Sequence, residues 1–241
     1  ADKLEAETPT DAFSIPDLAQ VDSLISDRLC QEREERLSFC HDLYGDWARQ
    51  RVLLGQKNNL QEYIKPRISS PLWHRAVRLY GLHLLEKNED AAQWRSALVS
   101  LYGDDNTPDL ASDLFLEAVV FAANPLPLLE RIWADLAAND GLLLRRLLVR
   151  FHFIATLPNP AILAIASELG QDLETTAATI QRIPYWPYWL PMLRFLHGHL
   201  ADVTNLAPEQ IAEIVNTWLR RGSKDWPLRQ EAAELALVTA E

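Results

Sequence analysis

Apolar residues along this chain recur three and four positions apart, and no stretch alternates convincingly between apolar and polar as a half-buried strand would. Residues 1–14 are polar, carry Pro9 and lack helical spacing, so a flexible lead-in or linker is expected there. After Pro16, Val21, Leu24, Ile25 and Leu29 fit one helix, and Leu37, Cys40, Tyr44 and Trp47 fit one face of a second. Together they predict an N-terminal helical layer over 15–68. Within it, breakers at 55–59 and 66–70 bracket a short segment from Leu60 to Ile64.

From Ser70 the punctuation becomes regular. Ser70-Pro71, Thr107-Pro108, Asn124-Pro125 and Asn159-Pro160 each place a proline behind a residue able to cap, where its missing N–H costs nothing. Pro208 and Pro227 open further helices behind weaker caps. The runs that follow keep one apolar face: Trp73, Val77, Tyr80 and Leu84; Leu129, Ile132, Trp133, Leu136 and Ala137; Ile162, Ile165, Ala166 and Leu169; Ile211, Ile214, Val215, Trp218 and Leu219, with Gly222 closing the last. Asp140-Gly141 lies between two helical patterns and signals no hairpin.

The stretch from Gly141 to Leu157 is apolar almost all round, interrupted by two thin polar stripes, Arg145/His152/Thr156 and Arg146/Arg150. Such a helix is expected to be buried between neighbours, as the central rung of a stack. It is too short and too rich in arginine to cross a bilayer, which takes about 20 mostly apolar residues. Pairing consecutive helices gives units starting near residues 71, 108, 140, 171 and 207, at steps of 37, 32, 31 and 36. A near-constant period in this range is what stacked helix pairs leave in a sequence. The expected fold is therefore all-α, an irregular α-solenoid of about six stacked antiparallel helix pairs, with the repeat region at 69–241 continuous with the preceding layer.

Part of this pattern resembles a known family. The run Pro227-Leu228-Arg229-Gln230-Glu231-Ala232-Ala233-Glu234-Leu235-Ala236-Leu237 resembles the second helix of a HEAT repeat, with its Pro, apolar-Arg pair and spaced alanines. Pro71 to Val77 is a looser echo, and Asp140 to Leu147 looser still. The tetratricopeptide pattern is not met. In layout, the WHRAVRLYGLHLL run followed by short helix pairs is also similar to the helical arm and sensor regions of bacterial STAND-type NTPases. That resemblance implies recognition of a ligand in bacterial defence, by a part of the protein that lacks the ATPase motifs.

Composition narrows the partners. The formal charge of −11 sets a repulsive field against nucleic-acid phosphates, so protein partners are expected before DNA or RNA. Two cysteines, Cys30 and Cys40, form no CxxC motif and give no disulfide density, which suits a reducing, cytoplasmic setting; both are expected in the core. The N-terminus shows no signal-peptide pattern, and the absence of an initiator Met suggests a fragment of something longer.

Candidate chemistry is sparse. No GxxxxGK[ST] or GxGxxG is present, so no cofactor is expected. His197-Gly198-His199 would share a metal only if the helix ended there, and otherwise they are two surface imidazoles. His41-Asp42 matches the dipeptide of HD-type metal phosphohydrolases, with His74 and His83 as further candidates. That enzyme class, and HEAT-like DNA glycosylases, are the alternatives to a binding role. Arg146 and Arg150, one turn apart with Arg145 beside them, could hold a carboxylate or phosphate, or pair structurally with acids such as Glu117 or Glu130. The run from Ile183 to Pro191 packs Tyr185, Trp186, Tyr188, Trp189 and three prolines into nine residues, a stiff corner of the kind from which hot spots are built. Its rings could equally plug a gap between repeats. The leading expectation is a noncatalytic scaffold that binds a protein partner, or another part of its own full-length chain, through these aromatics and arginines.

Overall fold

A computed structural model describes residues 7–56, 59–87, 89–102, 110–159, 182–221 and 224–240. Those residues are mostly helical, with twelve α-helices and five short strands among them. Backbone contacts divide the chain into two compact units, Ala1–Ala118 and Val119–Glu241. No helix among the described residues is long and apolar enough to cross a membrane.

The first unit departs from the expected helical layer. Part of the lead-in forms a strand, β1 (Thr8–Pro9), followed by a 3-10 turn at Thr10–Ala12 and helix α1 (Ile15–Ser26). Next come β2 (Cys30–Arg33) and β3 (Arg36–Phe39), which form an antiparallel sheet in the order β1-β3-β2. Leu37 and Cys40 therefore do not share a helix with Tyr44 and Trp47, and the expectation of a strand-free chain is corrected. The register pairs Cys30 with Phe39 and Arg33 with Arg36, leaving Glu34 and Glu35 as a two-residue turn. Both adopt positive φ, 50° and 59°, the twist that a tight hairpin needs and that Asn-Gly usually supplies. Two glutamates carry no such signal. Helix α1 covers the sheet through a small cluster of Val21, Cys30 and Leu37, with Phe13, Ile25 and Phe39 packed against it.

The rest of this unit is helical: α2 (Asp42–Gly55), α3 (Leu60–Ile64), α4 (Pro71–Lys87), α5 (Ala92–Tyr102) and α6 (Leu110–Leu116). The expected face of α4 is buried, with Trp73, Val77, Tyr80 and Leu84 all inside. α4 packs against α2, α5 and α6. Gly81 permits the last contact, since a Cβ there would lie 2.9 Å from the Phe115 carbonyl oxygen. Phe115 in turn takes Trp94 stacked at 5.7 Å and Tyr80 tilted at 5.8 Å. Arg78 reaches the fully buried Glu117 at 2.6 Å, and this pairing neutralises an acid that would otherwise be costly to bury.

The second unit holds α7 (Pro125–Arg131), α8 (Trp133–Ile154), β4 (Thr156–Pro158), β5 (Arg182–Pro184), α9 (Trp186–Gly198), α10 (Leu200–Leu206), α11 (Pro208–Arg221) and α12 (Arg229–Ala240). Pro71, Pro125 and Pro208 each stand first in their helices, as their spacing predicts. Pro227 lies two residues ahead of α12, while Pro108, the run from Ile162 to Leu169 and Gly222 lie outside the described residues. α8 is broken at 138–141, where Asn139, Asp140 and Gly141 all take positive φ. A Cβ on Gly141 would meet that of Leu206 at 2.8 Å, so the break is where α8 and α10 approach closely.

After this break α8 packs against α10 and α11 through Leu144, Leu147, Leu148 and Phe151, all buried. The expectation that this stretch is buried between neighbours holds for one face and is corrected for the other. Leu142, Val149 and Phe153 lie within about 40° of one another on a helical projection, and all three are exposed, Phe153 by 68%.

Candidate partner-binding surface

The aromatic corner is built on a two-stranded ladder. β4 and β5 pair antiparallel, Thr156 with Pro184 and Leu157 with Ile183, and the Tyr185 N–H extends the pairing by donating to the Ala155 carbonyl at 2.9 Å. Arg182, which the sequence reading passed over, ties the ladder by donating from Nε to the Thr156 hydroxyl at 2.8 Å. Pro187 then sits in the first turn of α9 and Pro191 lies further inside it. Pro191 has no N–H to return to the preceding turn, so one helix bond is missing there and the rings and strand pairing help to hold the segment.

The rings divide into core and surface. Trp189 is fully buried, stacked on Trp218 at 5.7 Å, and its indole N–H donates to the Ala155 carbonyl at 2.6 Å. As a partner-binding residue it is therefore corrected: it is the anchor under the corner. Trp218 touches Trp226 at 4.6 Å, and Trp226 touches Trp186 edge-to-face at 5.2 Å. The ladder thus leads from the core out to Trp186, which is 39% exposed. Tyr185 is exposed to a similar degree and packs edge-to-face on the half-buried Tyr188, which rests on Phe121. Leu157 is also exposed beside them.

The three arginines part company. Arg145 donates to the Asp140 carbonyl and, at 2.8 Å, to the Leu206 carbonyl, so it clamps the break in α8. Arg146 and Arg150 are half-buried and lie along one side of the exposed Leu142, Val149 and Phe153 on the helical projection. Of the acids considered as their partners, Glu117 is held by Arg78 and Glu130 by His199 at 2.8 Å. His152, on the other stripe, sits 3.0 Å from the Thr217 hydroxyl and 3.2 Å from Glu213.

Four of the remaining candidates, His41, His74, His197 and His199, make structural contacts. His197 pairs with Glu234 at 2.7 Å, whereas His199 pairs with Glu130 and stacks on Trp133 at 4.1 Å, so each imidazole has its own carboxylate. The His197 contact, and then Gln230, hold the Glu234 carboxyl below its ordinary range. His41 caps α2, its Nδ1 accepting from the Leu43 N–H at 3.1 Å, and His74 lies 3.0 Å from the Ile68 carbonyl. Among the described residues no group of three or more His, Cys, Asp or Glu is placed to hold a metal. Cys30 is buried, and burial raises its thiol pKa, but Cys40 is exposed, which corrects its assignment to the core. It directly follows β3, and its N–H donates to the Leu29 carbonyl at 3.0 Å. A cavity of about 570 Å³ beside Cys30 escaped the sequence reading, because its walls come from α1, the hairpin and α2 together. Comparison with protein-family models and with curated proteins finds no match to this chain.

Proposed function

We propose that this chain is a noncatalytic recognition module that binds a protein partner, or another part of its own full-length chain, through the second unit. The observation that carries this reading is the ladder from Trp189 to Trp186. Exposed rings set on a buried, stacked base lose little conformational entropy on docking, and tyrosine and tryptophan in such settings dominate binding energy. The exposed Leu142, Val149 and Phe153 supply an apolar strip, with the half-buried Arg146 and Arg150 along one side of it. A partner segment presenting apolar side chains complements it.

In this reading the helices are units of an irregular, HEAT-like α-solenoid of about six pairs, and the module works in the cytoplasm. A sensor arm of a STAND-type NTPase in bacterial defence is the biological setting that the resemblance favours. The HD-type alternative gains no supporting observation, since His41 and His74 serve local backbone contacts, and the formal charge of −11 disfavours the glycosylase alternative.

The test is affinity capture from native cells with mass-spectrometric readout, comparing the wild-type chain with Tyr185→Ala/Trp186→Ala and with Val149→Glu/Phe153→Glu. Each variant is first shown to keep the wild-type circular dichroism. Trp189 is left intact because its removal would damage the core. A partner retained by the wild type and lost from both folded variants supports the assignment, and undiminished capture by both sinks it.

A further inference from the structure

We infer that the cavity of the first unit is a binding site for a small amphipathic organic cation, an ammonium group carried on an apolar body. The cavity measures about 570 Å³, inside the range of roughly 300–1,000 Å³ typical of small-molecule sites. Its walls are aromatic: Phe13, Phe39, Tyr44 and Trp47 all face it, over a floor that includes Val21 and Leu37. Trp47 stays 54% exposed at the rim, tilted against Tyr44 at 6.1 Å, although an apolar space large enough to take an indole lies beside it. A ring left half out of water next to an unfilled apolar volume is a surface that a ligand would complete.

Charge decides which ligand. Asp17 lines the cavity from the first turn of α1, and no Lys, Arg or His among the described residues does so. The Ser14 hydroxyl donates to the Asp17 carboxylate at 2.6 Å, which orients it. A fatty acid would bring its own carboxylate against Asp17. A neutral chain would fill the apolar volume and leave Asp17 unused. An ammonium gains on both counts, from the carboxylate and from the negative faces of the surrounding rings. The formal charge of −11 over the chain works in the same direction. Cys30 forms part of the wall as a buried thiol, and burial raises its pKa, which leaves it neutral and apolar in character.

Isothermal titration calorimetry of the full chain with three probes of one chain length, each below its micellar concentration, tests this. The probes are decyltrimethylammonium, decanoate and decanol. Decyltrimethylammonium is expected to bind with one-to-one stoichiometry and about tenfold more tightly than decanoate, the gap narrowing as salt is raised. Asp17→Asn should shrink the gap below about threefold while decanol binding holds, and Ala48→Trp, which fills the cavity, should abolish binding of all three. Circular dichroism confirms that both variants fold. Equal affinity for the three probes, a gap that survives Asp17→Asn, or binding at several equivalents that survives Ala48→Trp would overturn the assignment. So would the absence of saturable binding, which would leave the space to a macromolecular partner or to nothing.

Discussion

In the first unit the sheet and α1 meet over three buried side chains, Val21, Cys30 and Leu37, and a cavity remains with Trp47 at its edge. In the second, Trp189 and Trp218 stack within 13° of parallel and are both fully buried, with Trp226 and Trp186 carrying the stack outward. The chain has spent similar aromatic material in opposite ways. Where rings meet rings the interior is close-packed, and any loss of volume is felt. Where a helix lies over a three-stranded sheet and the aromatics line a space rather than fill it, room is left that neighbours can still relax into. The first arrangement leaves a receptacle and the second builds a platform, which is why a small ligand is assigned to one and a protein partner to the other.

Truncations measure that difference directly. Trp218→Ala removes a fully buried indole that touches three other tryptophans and an N–H that donates to the Pro227 carbonyl at 3.1 Å. It is expected to cost about 3–5 kcal/mol in urea unfolding. Leu37→Ala, beside the cavity, should cost about 2 kcal/mol, the low end for a buried leucine, because the site is already incompletely filled. A Leu37→Ala penalty equal to that of Trp218→Ala would show that the sheet and α1 are as tightly packed as the tryptophan stack, and the contrast would fail.

Gly141 sharpens the contrast from the side of the platform. Its φ of 72° is unfavourable for any residue with a Cβ, and the added atom would press on Leu206. Gly141→Ala should cost about 3 kcal/mol, combining left-handed strain with overpacking. It should also weaken partner capture, since the clamp from Arg145 to the Leu206 carbonyl is set by the same geometry. If Gly141→Ala unfolds at the wild-type urea concentration, the break in α8 is soft and the strip beyond it is not rigidly presented.

The hairpin of the first unit should move the other way. Glu34 and Glu35 hold positive φ against their preference, and Glu34→Asn/Glu35→Gly substitutes the pair that the turn favours. A gain of about 1–2 kcal/mol is expected for relieving two left-handed residues. No gain in thermal or urea unfolding would mean that the strain is absorbed elsewhere.

That turn also shows where the sequence was readable and where it was not. Helix-forming runs such as Trp73 to Leu84 and Ile211 to Trp218 were legible because their 3.6-residue period is written in the residues themselves, and their apolar faces are buried as expected. The break at Asn139 to Gly141 was legible because those types tolerate positive φ. The hairpin was not. Its strands are four residues each, its turn uses glutamates, and Leu37, Cys40, Tyr44 and Trp47 happen to fall at helical spacing. Of the aromatic corner, the sequence could name the rings but could not sort them. Whether Trp189 or Trp186 faces water depends on Trp218 and Trp226, some thirty to forty residues further along the chain. Likewise the exposure of Phe153 depends on which side of α8 meets α10 and α11.

Ion pairs give the finest test of the contrast, and the smallest effect. In the first unit Arg78 and Glu117 meet where the carboxylate is fully buried, while in the second His197 and Glu234 meet at the surface. Glu234 has a folded-state pKa below its unfolded value, chiefly through His197 and then Gln230. Its pair therefore adds stability that is fully present above the ordinary carboxylate range and is lost as pH falls through the depressed folded pKa. Because the site is open to solvent, the contribution is screened and small. His197→Ala should raise the Glu234 titration midpoint, followed by NMR of its side-chain carboxyl, and leave some depression from the Gln230 contact at 3.0 Å. An unchanged midpoint would mean that the imidazole does not hold this carboxylate in solution, and that α9 and α12 are joined there by packing alone.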